Sequence, residues 1–157
     1  MTPTEQLFWQ YLKPILEEQK APHDVVYIKM SDGNGFDRLM ADSRSEDIYP
    51  GIYVLRPKYT GQLIDNHLML ARFDMQLYAF VQHKHSEENS QDVAYEHAER
   101  IIASIVKRLQ HDRFEYKNYL EFDSIGIEPV IYETGTDATS GYYLRCTVGL
   151  PANHIFC

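Results

Sequence analysis

The sequence predicts an α+β fold: a mainly antiparallel sheet, a long amphipathic helix packed on one face, and an N-terminal helix. The first observation is a helical spacing of apolar residues over residues 90–112. The second is an apolar–polar alternation within residues 68–82, which is typical of a strand with one buried face. The third is that strand-like segments occur in runs rather than alternating singly with helices.

Length and composition predict one domain, residues 1–157. The formal net charge is −8 and no Lys/Arg run exists, so direct nucleic-acid binding is not expected. No apolar run reaches the ~18–20 residues of a membrane span, and the N-terminal residues lack a signal-peptide pattern. Two cysteines suggest a reducing compartment rather than a disulfide framework. We therefore expect a cytoplasmic protein without membrane contact.

The N-terminal helix is predicted over residues 2–20. Thr2 suits the cap, Pro3 the first turn, and Glu5 the position that reaches back to the cap. The apolar stripe consists of Leu7, Phe8, Tyr11, Leu12, Ile15 and Leu16. Pro14 lies off this stripe and removes one backbone donor, so we expect a kink or two short helices.

Three strands are predicted between this helix and the long one, over residues 24–30, 48–56 and 68–82. Residues 31–47 form a polar loop, and residues 57–66 form a turn. The second and third strands are predicted to pair as an antiparallel hairpin. The core face of the third comprises Ala71, Phe73, Met75, Leu77, Ala79 and Val81.

The long helix, residues 90–112, should lie across the sheet. Its buried side is predicted to contain Ala94, Ala98, Ile101, Ile102, Ile105 and Leu109. Asn89 or Ser90 suits its cap, and Glu96 can pair with Arg100 one turn later. Two strands follow, over residues 120–132 and 141–150, joined by 133–140 and trailed by 151–157.

No recognisable catalytic, cofactor-binding or metal-binding motif occurs, and we predict a protein that is not an enzyme and needs no cofactor. The segment from Asp32 resembles a calcium loop but lacks its fifth, sixth and twelfth positions. His83 and His85 could share a metal, although exposed polar residues at a strand end are the simpler interpretation. Glu121 and Asp123 share one predicted strand face and could do acid–base work, but solvated strand charges are the preferred interpretation.

Two other features have ordinary explanations. His154 and Cys157 could bind zinc, but a free tail is the preferred interpretation. Cys146 lies in a core-facing register, where a thiol is inert.

The predicted loops hold apolar and aromatic side chains, which suggests contact with another protein chain. The candidate partner interface consists of Phe36, Leu39, Met40, Lys58, Tyr59, Leu63 and Ile64. The alternative is that these loops fold back on their own domain.

The layout resembles that of the small tail-terminator and tail-completion proteins of long-tailed bacteriophages. The resemblance rests on residues 49–55, the strand at 71–81, the helix at 94–109 and the strand at 142–148. It implies a structural phage or prophage tail protein that forms a homo-oligomeric, hexameric ring. Such a ring would dock on other tail proteins at the tail tube or head–tail junction, in the host cytoplasm and the virion tail.

Two alternatives belong to other classes. One is a small enzymatic or ligand-binding domain with a pocket between helix and sheet. The other is a monomeric adaptor module.

Overall fold

The computed structural model describes residues 1–31, 48–84, 89–134 and 137–157. The helices in these ranges are α1 (Pro3–Glu17), α2 (Lys20–His23), α3 (Ser90–Phe114) and α4 (Asn153–Phe156). The strands in these ranges are β1 (Tyr27–Ser31), β2 (Gly51–Leu55), β3 (Lys58–Ile64), β4 (Leu68–Lys84), β5 (Tyr119–Thr134) and β6 (Asp137–Pro151).

The six strands form one sheet in the order β1-β2-β4-β6-β5, and β3 also pairs with β4. Only the pairing of β1 with β2 is parallel among the described strands; the others are antiparallel. β2 pairs with residues 77–80 of β4 and β3 with residues 68–74, so the two lie end to end along the same edge of β4. The predicted α+β fold is confirmed. The second and third predicted strands pair antiparallel, but they are not the predicted hairpin, because β3 lies between them in the chain and forms the hairpin with β4.

β3 corrects the sequence prediction, which placed a turn at residues 57–66. Six of its seven residues are exposed, and the seventh, Ile64, is half-buried. Because neither face of β3 is buried, its sequence lacks the apolar alternation that marks a strand. Backbone pairing with β4 holds it in place instead.

The core lies between one sheet face and the helices α1 and α3. The predicted core residues of β4 are all buried, and so are Leu144, Cys146, Val148 and Leu150 of β6. Phe8 of α1 contacts Phe73 of β4, with ring centroids 5.0 Å apart. The open face of β4 instead carries Arg72, Asp74, Gln76, Tyr78 and Gln82. Phe80 lies on the same face but is buried beside β2.

The helix α3 confirms the predicted apolar side, because all six predicted residues are buried. Glu96 and Arg100 form the predicted ion pair. Asn89 occupies the cap position in a left-handed conformation, with φ 63°, and its side chain makes no capping hydrogen bond to the described helix. The helix continues past the predicted end to Phe114.

The helix α1 begins as predicted, with Thr2 Oγ1 accepting a hydrogen bond from the Glu5 amide at 3.1 Å. It runs through Pro14 without being divided there, and the break occurs later, before α2 begins at Lys20. Pro14 is exposed, so its ring does not disturb the buried stripe. Pro14 lacks a backbone N–H, so the helix loses one hydrogen bond. The free energy gained by burying Phe8 and Leu12 offsets that loss.

The end of the chain also differs from the prediction. β5 and β6 extend towards each other to Thr134 and Asp137, so most of the predicted connection at 133–140 is strand. The predicted tail at 151–157 contains α4. Asn153 anchors it, because its Oδ1 accepts from the Met69 amide at 2.6 Å and its Nδ2 donates to the His67 carbonyl at 3.0 Å.

Replacing Ile105 with valine should lower the free energy of unfolding by about 1 kcal/mol, since it deletes one methylene from a closely packed core. Ile105 is fully buried where α3 crosses the sheet. Urea denaturation would measure the change. Val93→Ala is the control, because Val93 lies on the same helix and is 63% exposed. It should change the free energy of unfolding by no more than about 0.5 kcal/mol. Equal stability of Ile105→Val and wild type would contradict the packing described.

Candidate interaction surface

Four of the predicted interface residues lie on the edge strand β3: Lys58, Tyr59, Leu63 and Ile64. One side of β3 pairs with β4, and no described strand pairs with its other side. The remaining predicted residues, Phe36, Leu39 and Met40, lie outside the described residues. An unpaired strand edge presents backbone donors and acceptors that can join another chain.

The β3 patch is a group of exposed apolar side chains, which we define as Tyr59, Leu63 and Phe156. Tyr59 is 46% exposed, Leu63 is 55% exposed and Phe156 is 44% exposed. The Tyr59 ring lies between those of Phe73 and Phe156, with centroid distances of 5.8 and 6.1 Å. Tyr59 is therefore held in place by its own domain while nearly half of its surface faces outward.

The opposite edge of the sheet is β5, which carries an irregularity between Glu121 and Gly126. Ser124 closes it: its hydroxyl donates to the Glu121 carbonyl at 2.5 Å and accepts from the Thr147 amide at 2.8 Å. Bulges of this kind redirect side chains at sheet edges. Here Phe122, within the irregular segment, is 43% exposed.

The β5 patch, defined as Phe114, Tyr116 and Phe122, is the aromatic surface at this edge. Phe114 ends α3, is 72% exposed and contacts the Phe122 ring at 5.9 Å. Tyr116 follows with a left-handed φ of 61° and is the most exposed of the three. The sequence prediction missed this patch because it assigned residues 113–119 to neither the long helix nor the following strand. Four aromatic residues within positions 114–122 were the available signal.

The two patches lie at the same end of the sheet, on opposite sides. Residue pairing runs from Lys58 of β3 through Asp74 and Thr147 to Glu121 of β5. Adjacent strands are about 4.8 Å apart, so these edges are separated by roughly 14 Å of backbone. The domain thus presents different apolar surfaces on its two flanks.

The open sheet face between these edges is polar, and its side chains pair with one another. Arg72 of β4 forms an ion pair with Glu121. Arg145 Nε donates to Asp74 Oδ1 at 3.1 Å, which raises the pKa of the guanidinium. Tyr143 donates to Gln76 Oε1 at 2.7 Å. This face is therefore built from mutually paired side chains at its centre.

A second aromatic cluster lies beside β2 and combines Ile48, Tyr49, Tyr53 and Phe80. The Tyr53 hydroxyl donates to the Ile48 carbonyl at 2.5 Å, and burial raises the pKa of Tyr53. This cluster contains two of the 12 tyrosines of the chain, Tyr49 and Tyr53.

His83 and Ser140 form a buried contact, with Ser140 Oγ 3.0 Å from His83 Nδ1. The prediction that His83 is an exposed strand-end residue is wrong, because it continues the buried register of β4 and only 4% of it is exposed. A serine beside an imidazole is the arrangement of an activated nucleophile. Ser140 is fully buried, however, so this contact joins β4 to β6 and offers no surface to a substrate.

The other predicted chemical residues are dispersed. Glu121 is paired with Arg72, while Asp123 lies in the irregular segment of β5, so the shared strand face is interrupted. Burial raises the pKa of the Cys146 thiol to about 12, which fits the predicted inert thiol. His85 lies outside the described residues. In the described part of the chain no three His, Cys, Asp or Glu side chains gather as a metal site would require.

The space between α3 and the sheet is filled by side chains. Ile101 and Leu77 are fully buried, and Met75 is 1% exposed. The hollows along the described residues lie at the surface instead. One of about 660 Å³ covers the irregular segment of β5, and one of about 390 Å³ runs beside Tyr95 and Glu99 of α3.

Comparison with protein families finds no model that matches the chain, and comparison with curated proteins finds no match. Within the described ranges, no helix has both the length and the apolar character needed to cross a membrane.

Proposed function

We propose that this chain is a structural subunit that assembles with copies of itself into a ring in a phage or prophage tail. It would act by docking at the tail tube or head–tail junction rather than by turnover. The observation that carries the proposal is the exposure of aromatic and apolar side chains at two opposite sheet edges, the β3 patch and the β5 patch. Exposed aromatic groups of this kind are enriched at protein interfaces.

Two different surfaces on opposite flanks are what a ring requires. A two-fold dimer uses one self-complementary surface, whereas a ring joins one surface of each copy to another surface of the next. The proposal is also supported by the fold, which has an N-terminal helix, a β-hairpin region, a long helix across an antiparallel sheet and a final strand pair. Similarity of fold alone is weak support for a function, so the proposal rests on the exposed patches at the two sheet edges.

Neither alternative function is favoured by a specific observation. A small enzyme was expected to have a pocket between helix and sheet, and buried side chains fill that space in the described residues. A monomeric adaptor would need one binding surface, whereas two flanks carry apolar patches.

Purified chain should form a discrete oligomer in light scattering and rings in negative-stain electron microscopy. Phe122→Ser should weaken assembly, because truncating a central interface aromatic costs about 2 kcal/mol, or roughly 30-fold in affinity. Val93→Ser is the control, since it removes another exposed apolar side chain, from the end of α3 opposite to Phe114. Assembly unaffected by Phe122→Ser would count against the β5 patch as an interface.

Immunogold labelling of purified virions tests the tail assignment. The chain should be found at one end of the tail tube. Its absence from virions, with a monomeric state at every concentration tested, would overturn the proposal.

A further inference from the structure

The second half of β5 is apolar and uncovered on the side of the sheet that faces the helices. Ile127 is 46% exposed, Ile131 is 47% exposed, and Pro129 between them is also exposed. We define these three residues as the β5 shelf. Ile127 pairs with Leu144 of β6, which is fully buried in the core, and residues paired in this way lie on the same sheet face. The β5 shelf therefore belongs to the face that α1 and α3 cover elsewhere.

The β5 shelf continues a surface that is buried nearer the start of the strand. Ile125, the preceding residue on the same face, packs against the core. Isoleucine is typical of strand faces that are packed against another layer. An exposed apolar surface that adjoins the core in this way indicates a place where another chain packs.

The helix α3 forms a wall beside the β5 shelf. Tyr95 of α3 contacts Tyr142 of β6, with ring centroids 6.0 Å apart, and Tyr142 pairs with Pro129 of the shelf. Burial raises the pKa of the Tyr142 hydroxyl, and the nearby carboxylate of Glu99 raises it further. The surface hollow of about 390 Å³ runs beside Tyr95 and Glu99. The wall thus combines aromatic rings with a carboxylate.

Glu99 gives this wall a negative charge. Glu96 and Arg100 also line the hollow, but they form an ion pair with each other. Asp92 is exposed two turns earlier on the same side of α3 and adds a second carboxylate. Lys107 is eight residues after Glu99, which turns it about 80° further round the helix, away from the sheet. A partner that covers the shelf is therefore expected to bring a positive charge.

The space above the β5 shelf suits a helix better than a strand. Pro129 has no backbone N–H, and proline on an edge strand discourages the addition of a further strand. The helix α3 packs on β4 and β6, and β5 is the next strand outward. Packed helices lie about 10 Å apart and neighbouring strands about 4.8 Å apart, so a helix beside α3 would lie over β5.

The described helices of a second copy are not suited to this place. The apolar sides of α1 and α3 are already buried in their own domain, and α2 and α4 have only four residues each. We infer that the β5 shelf docks an amphipathic helix of a different protein, with its apolar side on Ile127 and Ile131 and a Lys or Arg side chain reaching Glu99. This inference goes beyond the proposed function and does not require self-association.

The test uses a fluorescently labelled synthetic peptide with leucine and lysine at helical spacing, and the same peptide with glutamate in place of lysine. Fluorescence anisotropy should show that the full-length chain binds the lysine peptide about tenfold or more tightly than the glutamate peptide. Ile127→Ser should weaken binding of the lysine peptide about fivefold or more. Val93→Ser, which removes an exposed apolar side chain elsewhere on the surface, should leave that affinity unchanged.

The charge contribution is tested by Glu99→Gln, which should weaken binding of the lysine peptide about threefold or more. Glu128→Gln is the matched control, because it makes the same change in net charge on the opposite face of β5 from Ile127. It should bind the lysine peptide as wild type does. Circular dichroism establishes that each variant is folded.

The outcomes separate this inference from the proposed function. If the lysine peptide does not bind, or if folded Ile127→Ser binds it as tightly as wild type, the docking site is wrong. If Ile127→Ser instead weakens self-association in sedimentation velocity while its peptide affinity is unchanged, a second copy covers the shelf and the inference is also wrong. If wild type is monomeric at every concentration but binds the lysine peptide through Ile127 and Glu99, only the proposed self-association is overturned.

Discussion

Gly141→Ala should lower the free energy of unfolding by about 3 kcal/mol, because β6 has no room for a side chain at this position. A Cβ there would lie 2.2 Å from the Ala79 carbonyl oxygen and 2.8 Å from Cδ1 of Phe80. Gly141 is buried and pairs with Phe80 on β4 and Val130 on β5, so strands on both sides limit relief. A methyl group must therefore push the β4–β6 ladder apart.

Chemical denaturation of wild type and Gly141→Ala measures this loss directly. Gly126→Ala is the matched control, since a Cβ at Gly126 meets no described atom within 4 Å. Its effect should stay within about 0.5 kcal/mol. Similar stabilities for the two alanine variants would contradict the close contact between β4 and β6.

Asn118→Ala should cost a similar amount, about 3 kcal/mol, because one fully buried side chain serves three partners. Asn118 Nδ2 donates to the Tyr11 hydroxyl at 2.7 Å and to the Leu109 carbonyl at 3.1 Å, while its Oδ1 accepts from the Leu120 amide at 3.0 Å. With alanine at position 118, the Tyr11 hydroxyl, the Leu109 carbonyl and the Leu120 amide each lose the hydrogen bond that Asn118 provides.

The network reaches further through Tyr11. Its hydroxyl donates to Asp112 Oδ2 at 2.8 Å, and Arg108 Nε donates to Asp112 Oδ1 at 3.1 Å. Arg108 also pairs with Glu18. Burial raises the pKa of Tyr11. These contacts fasten α1 to the end of α3 and the start of β5, so Asn118→Ala should loosen all three elements together.

Thermal and urea unfolding measure the Asn118→Ala effect, and hydrogen exchange of the Leu120 amide reports it locally. Asn153→Ala provides a comparison, since Asn153 also bridges two backbone segments but is only half-buried. Its cost should be nearer 1 kcal/mol, because water can replace the lost hydrogen bonds. Unchanged exchange at Leu120 would show that Asn118 does not hold the start of β5.

The elements that sequence predicted best are those with one buried face. Period-two alternation in β4 and 3.6-residue spacing in α3 indicated their buried residues correctly, since burial imposes the pattern on the sequence. The strand β3 was not predicted, because a strand with both faces exposed has no alternation of apolar and polar residues in its sequence. Pro14 was expected to divide or kink α1, but its exposed ring allowed the buried stripe to keep the helix in one piece.

The candidate surface was only partly predictable. Tyr59 and Leu63 stood out as apolar residues in a predicted turn, and the structure places them on an exposed edge strand. Phe114, Tyr116 and Phe122 were not selected, because their proximity depends on where α3 ends and how β5 bulges. His83 was misjudged because its burial arises from the partner strand β6.

The sequence by itself determined the fold class and the buried faces, because hydrophobic spacing is local and repeats along the chain. Only the tertiary structure decided which strands became edges and which aromatic side chains meet at those edges. Those properties depend on pairing between residues that are distant in the chain. Neither the periodicity nor the composition of a segment indicates which distant segment it will pair with.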